Sequence, residues 1–141
     1  MLELESTVET SGSNGPVADS VNMRFIKEAF RAFSEDGVLA GVDSLLARVH
    51  RDAIFAPYSA GNQELHGPDE VRAFFRETVE AGASMTVRAL AFEEHGDEVV
   101  VSGSIRLVHA GGGFAESQVR WTYRFRDGRV AEARWGPRHE A

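Results

Sequence analysis

Few side chains in this sequence can move a proton near neutral pH, and they are scattered. Tyr58 and Tyr123 each carry a phenol. Each can donate a hydrogen bond or a proton to a bound molecule, or lie in a core with its hydroxyl reaching water at a rim. Five histidines supply the natural general bases. His66 directly precedes a Gly-Pro helix start. His50 closes a helical stretch, where an imidazolium complements the helix dipole. His109 has the apolar parity of its strand and reads as inward-facing, whereas His95 falls in a turn and His139 in the tail. Tyr58, His66 and Tyr123 are the catalytic candidates, each as a single donor or acceptor acting on a positioned substrate. Neither His-x-x-x-His nor His-Glu-x-x-His occurs, so no metal site is expected. Nor is a cofactor expected: glycines 111–113 lead into a strand rather than a helix and do not make a phosphate cradle. Without cysteine there is no thiolate nucleophile, disulfide or cysteine-bound zinc. Arg120, Arg124 and Arg126 share one strand face, where they either clasp an anion or pair with acids such as Glu116 and Glu132.

The elements that must position these groups belong to one domain. A chain of 141 residues buries about two-thirds of its unfolded surface on folding, enough for a sizeable core. With 43% hydrophobic and 26% charged residues, its composition is that of a soluble globular domain. A net charge of -7 repels phosphate backbones and anionic lipid, so neither nucleic acid nor a membrane is an expected partner. No run approaches the roughly 18 apolar residues of a membrane span. The start of the chain carries Glu3, Glu5, Glu9 and Asp19 before its first basic residue, which is not the pattern of a secretory signal. A cytoplasmic protein is expected. Residues 1–18, rich in Ser, Thr, Glu and Gly, read as a flexible acidic tail, 19–137 as the domain and 138–141 as a short tail.

Within the domain, Asp19 or Ser20 caps a first helix whose apolar stripe is Met23, Ile26, Phe30 and Phe33, stopped at Asp36-Gly37. Val42, Leu45, Leu46 and Val49 make a second helix through about His50. A short strand, residues 54–58, can pair back with residues 64–66 as a hairpin. Gly67-Pro68-Asp69-Glu70 starts a third helix with proline and acids where the positive dipole end favours them. Its buried stripe is Val71, Phe74, Phe75, Thr78 and Val79, closed by Gly82. Four strands follow: Met85–Glu93, Glu98–His109, Phe114–Arg126 and Arg129–Trp135. Gly and Asp residues supply the turns between them. On the third, Val119, Trp121, Tyr123 and Phe125 alternate with Gln118, Arg120, Thr122, Arg124 and Arg126, so one face is core and the other solvent or a polar interface.

Helices first and strands after is an α+β pattern. Four segments sharpen it: Phe33-Ser34-Glu35-Asp36-Gly37; Arg51-Asp52-Ala53-Ile54-Phe55; Gly67-Pro68-Asp69-Glu70-Val71-Arg72-Ala73-Phe74-Phe75; and Phe125-Arg126-Asp127-Gly128-Arg129-Val130. In this order the succession resembles the nuclear transport factor 2-like superfamily, in its SnoaL-like and ketosteroid isomerase-like branch. The resemblance implies a cone-shaped, curved antiparallel sheet wrapped around three N-terminal helices with a small hairpin. It implies a pocket inside the cone and, often, homodimers formed through the outer sheet face. It leaves the reaction open, since the superfamily holds isomerases, cyclases, hydratases and non-catalytic binders. Where ketosteroid isomerases keep a tyrosine, a base and a protonated acid, this chain has Phe30, Ala56 and Trp121. Without those groups that mechanism has no parts. The same match implies that Phe30, Phe33, Ala56, Phe74, Trp121 and Trp135 line the cavity, with Tyr58 and Tyr123 facing it. Such a pocket suits a small, cyclic, hydrophobic molecule. The competing expectation is a non-catalytic dimeric domain whose cavity is filled by its own aromatics.

Overall fold

The computed structural model describes residues 19–56 and 63–137. The two tails and Tyr58 lie outside the described residues.

Helix α1 runs Val21–Asp36. Ser20 caps it, its Oγ accepting the Met23 N–H at 3.0 Å. Met23, Ile26, Ala29, Phe30, Ala32 and Phe33 form the buried stripe. Gly37, at φ 104°, turns the chain into α2, Val38–Leu46. The two helices cross closely at Gly41, where an added Cβ would lie 2.2 Å from the Phe33 ring. Helix α3 is Gly67–Glu80, with Pro68 in its first turn and Asp69 and Glu70 behind it. Glu70 also accepts the His66 backbone N–H at 2.8 Å. Val71 and Phe75 are buried and Phe74 and Thr78 half-buried. Val79, expected in the buried stripe, is exposed, because α3 packs on one side only, against β1, β2 and α2.

The strands are β1 (Val49–Ala56), β2 (Leu65–His66), β3 (Ser84–His95), β4 (Glu98–Val108), β5 (Phe114–Arg126) and β6 (Arg129–Pro137). They form one curved, unclosed sheet in the order β2-β1-β6-β5-β4-β3. The last four make the expected antiparallel meander. The sheet as a whole is mixed, because β6 returns to lie parallel to β1, with Phe55 beside Ala133. This α+β cone over three helices is the expected fold.

Two expectations about histidines are corrected. The second helix stops at Leu46, and Val49 already pairs with Val130 across the sheet. His50 is therefore a strand residue, its Nε2 2.6 Å from the Arg126 carbonyl oxygen, rather than a helix C-terminal cation. His109 lies beyond the end of β4 and is exposed. Its backbone N–H bonds to the Gly113 carbonyl at 2.7 Å to close the loop, so strand parity does not reach it.

A β-bulge marks the edge strand. The β3–β4 register shifts between Ala89 and Ala91, leaving Leu90 as the extra, exposed residue. Opposite it stands Gly103, where a Cβ would meet the Arg88 carbonyl oxygen at 2.0 Å.

Candidate functional site

Inward positions of β5 and β6 bring two tryptophans and a tyrosine to the middle of the concave face. Trp121 stands opposite Trp135 in register, with ring centroids 6.2 Å apart. Phe30 descends from α1 onto them, 5.0 Å from Trp121 and 6.0 Å from Tyr123, both edge-to-face. The same ring meets Phe33 at 5.7 Å and Phe92 of β3 at 6.0 Å. From α3, Phe75 lies 5.6 Å from Trp135, and Phe74 touches Phe75 at 5.1 Å. The result is a continuous aromatic wall across α1, α3 and the sheet, held by ring contacts of favoured geometry.

Two polar atoms are sealed inside it. The Tyr123 hydroxyl and the Trp135 Nε1 are buried without a hydrogen-bond partner. Burial pushes the Tyr123 phenol far above its usual pKa. The nearby Trp135 indole acts in the opposite, weaker sense, without reaching hydrogen-bond geometry. Tyr123 is therefore a neutral phenol throughout the physiological range, suited to donating a hydrogen bond and not to acting as a base. Ser104 is the single other polar residue buried among the described residues, and no charged side chain joins it.

Of the other candidates, His66 precedes α3 with its side chain exposed, opposite Ile54 on β1. Buried Leu65 takes the inward place beside it. Ala56 is half-buried, opposite Arg134, on the face that Ile54 shares. Strand alternation gives the inward position there to Phe55, which stands beside buried Ala133 and is no base either. The structure thus brings Phe30, Phe33, Trp121, Tyr123 and Trp135 together, reaches Phe74 through Phe75, and leaves His66 and Ala56 apart from them. Sequence reasoning missed Phe75 and Phe92 as parts of the wall. Phe75 was legible as core; Phe92 sits beyond the bulge, which breaks the parity that would have assigned it.

A groove of about 310 Å³ runs between α1 and β3 and reaches this wall from outside. Phe30, Ala89 and Phe92 form its apolar lining, and Lys27, Arg31 and Arg88 stand exposed around it. Lys27 Nζ lies 5.6 Å above the Phe92 ring. On the convex face, Arg124 pairs with Glu132 at 2.8 Å and with Glu98 at 3.8 Å, and Arg126 with Asp52 at 3.5 Å. Arg134 bonds both Glu132 and Glu64, and these carboxylates hold its guanidinium still more firmly protonated. Arg124 and Arg126 are thus ion-paired. Among the described residues no group of His, Asp and Glu is arranged to hold a metal ion. No helix among them is long and apolar enough to cross a membrane.

The SnoaL-like domain family matches residues 26–133. No curated protein matches the chain. Among solved structures, a nuclear transport factor 2-like protein of unknown function from Burkholderia pseudomallei superposes with a TM-score of 0.71 at 24% identity, covering 85% of this chain and 92% of that one. TerC, co-crystallised with polyporic acid, gives 0.69 at 20% identity over 84% and 92%. An LEH-like epoxide hydrolase from M. tuberculosis gives 0.64 at 16% identity over 82% and 80%. At these identities the structural likeness establishes the fold alone.

Proposed function

This chain belongs to the SnoaL-like domain family, and from that premise we propose that it binds a small, cyclic, hydrophobic molecule against the aromatic wall of its cone. The observation that carries this reading is the position of Phe30. Its ring lines the open groove between α1 and β3 and also meets Trp121 and Tyr123. One side chain therefore separates the groove from the interior aromatics. Flat rings stacked on flat rings bury apolar area with favourable edge contacts. Two solved relatives, one holding polyporic acid and one an epoxide hydrolase, support a small-molecule role for the fold.

If the bound molecule is transformed, by isomerase-, cyclase- or hydratase-type chemistry, Tyr123 is the interior group able to polarise it. Tyr58 and His66 are the remaining donors to test. Phe30, Phe33, Phe74, Trp121 and Trp135 are the proposed lining. A second reading is favoured by the close Phe30–Trp121 contact of 5.0 Å: a non-catalytic domain whose interior is filled. On the convex face, the ladder Glu98–Arg124–Glu132–Arg134–Glu64 alternates in sign. It suits a polar two-fold contact with a second copy, with a homodimer expected in sedimentation.

The deciding experiment is a thermal-shift panel of steroids, terpenoids, aromatic polyketides and fatty acids, run on the native chain and on Trp135→Ala. A ligand at 100 times its Kd stabilises by about 2.7 kcal/mol. A shift in the native chain that the variant loses supports the pocket. No shift in any class leaves the filled-interior reading.

A further inference from the structure

We infer that residues 2–9 of this same chain lie extended in the groove between α1 and β3, with their apolar side chains on Phe30, Ala89 and Phe92 and their carboxylates among Lys27, Arg31 and Arg88. The inference concerns the outer groove and stands whether or not the interior takes a ligand.

The edge of the sheet is the starting point. Strand β3 is its last strand, so one side of its backbone has no neighbouring ladder. Helix α1 packs along β3 in the opposite direction. Ser20 Oγ lies 2.8 Å from the Glu94 carboxylate at one end, and Ser34 Oγ donates to the Val87 carbonyl at 2.9 Å at the other. Between these two fastenings runs the groove of about 310 Å³. Its lining comes from α1 and β3 alone, so it lies on the open side of β3. Ala89 and Phe92 are half-buried there and Leu90 is exposed. An open strand edge beside apolar surface is a feature that native proteins cover.

Reach, pattern and charge name the occupant. The chain enters α1 at Ser20, already held to Glu94, so whatever precedes Ser20 starts at one end of the groove. From Glu94 back to Arg88 the strand covers roughly 20 Å. Residues 10–19 span up to about 35 Å when extended, so residues 2–9 reach the whole groove. In that segment Leu2, Leu4 and Val8 alternate with Glu3, Glu5 and Glu9, and glycine first appears at Gly12. This is the pattern of a strand with one apolar and one acidic face. In a chain of net charge -7, the groove gathers Lys27, Arg31 and Arg88. Lys27 holds Asp19, and Arg31 holds Glu28 and the groove's own Glu35. Arg88 has no ion pair among the described residues. A second copy is the poorer occupant, because the bulge at Leu90 interrupts the long regular pairing that another β3 edge would need. A tethered segment needs only a few residues of contact, since its effective concentration is high.

The experiment uses the full chain. It has no cysteine, so a nitroxide on Thr7→Cys is its single label. Paramagnetic broadening of backbone amides shows where residue 7 lies, and hydrogen exchange shows whether residues 3–9 are held. The expected result is broadening centred on α1 and residues 88–92. Residues 3–9 should exchange roughly ten-fold or more slowly than in an isolated peptide of the same sequence. Leu2→Asp combined with Leu4→Asp should return them to the peptide's rate while the amides of β5 keep theirs. Arg88→Glu should weaken the protection, and adding Glu3→Lys and Glu5→Lys to that variant should restore it. Peptide-like exchange in the native chain, broadening elsewhere, or protection that survives the paired leucine changes overturns the inference. A nitroxide-bearing chain mixed with an isotope-labelled, nitroxide-free one tests the second copy: broadening of β3 in that mixture gives the groove to another molecule's segment and also overturns it. Every readout is taken without ligand, so failure here leaves the pocket reading untouched.

Discussion

The two faces of β5 treat polar groups in opposite ways. Outward, Arg124 and Arg126 find carboxylates within 4 Å and remain in contact with water. Inward, one residue away along the same strand, the Tyr123 hydroxyl is wholly buried and meets nothing. Solvated ion pairs are replaceable, since water substitutes for either partner and each pair contributes little. A sealed donor has no such substitute, and its unmet bond is a standing destabilisation. The faces teach that one strand can keep its polar groups in solvated pairs on one side and seal one without a partner on the other.

Three changes test that separation, in falling order of effect. Trp121→Ala removes the ring that Phe30 and Trp135 both pack on and should lower stability by about 3–5 kcal/mol in chemical denaturation. A loss below about 1.5 kcal/mol would mean that the ring borders open space rather than core. The second test is alkaline. Below about pH 10 native and unfolded chains both keep the Tyr123 proton. Above it the unfolded phenol ionises while the buried one does not, so stability falls as pH rises, by about 1.4 kcal/mol per pH unit for this group. Tyr123→Phe should lose that slope. Near pH 7, without ligand, it should melt no lower than the native chain, because it deletes an orphan. Lower melting together with an unchanged slope would show a hydroxyl that is partnered and solvated. The smallest effect belongs to the outer face. Glu132→Gln loosens both Arg124 and Arg134, yet should destabilise by no more than about 1 kcal/mol, a difference that vanishes in 1 M salt. A larger, salt-insensitive loss would place the ladder in a buried contact between copies.

The fold was legible because its signals are local and periodic. Ser20, Gly37 and Pro68 mark helix ends by their own chemistry; the glycines at 111–113 and Asp127-Gly128 mark the ends of β5, and its alternation from Gln118 onward fixes its inward set. The site was legible only as a list of aromatic residues. That Tyr123 and Trp135 both lack partners follows from β5–β6 register and from what α1 and α3 bring over them, and neither is a property of the nearby sequence. His109 shows the limit from the other side: alternation was extended one residue past the point where a glycine loop releases the strand. Val49 and His50 continued a helical spacing, but the parallel pairing with β6, some eighty residues away, claims them for the sheet.

That parallel pairing governs how the molecule comes together. Strand β6 sits between β1 and β5, so it is the one strand that joins the early half of the chain to the meander. A nascent chain extended only to Gly128 holds a two-stranded piece, β2-β1, and a three-stranded piece, β5-β4-β3, with no ladder between them. Each then presents an open edge able to pair with other chains. The nine residues of β6 close both edges in one step. The β1–β6 pairing spans the longest sequence separation in the sheet and so carries its largest loop-closure cost. Until β6 docks, those two edges are the ones open to misassembly.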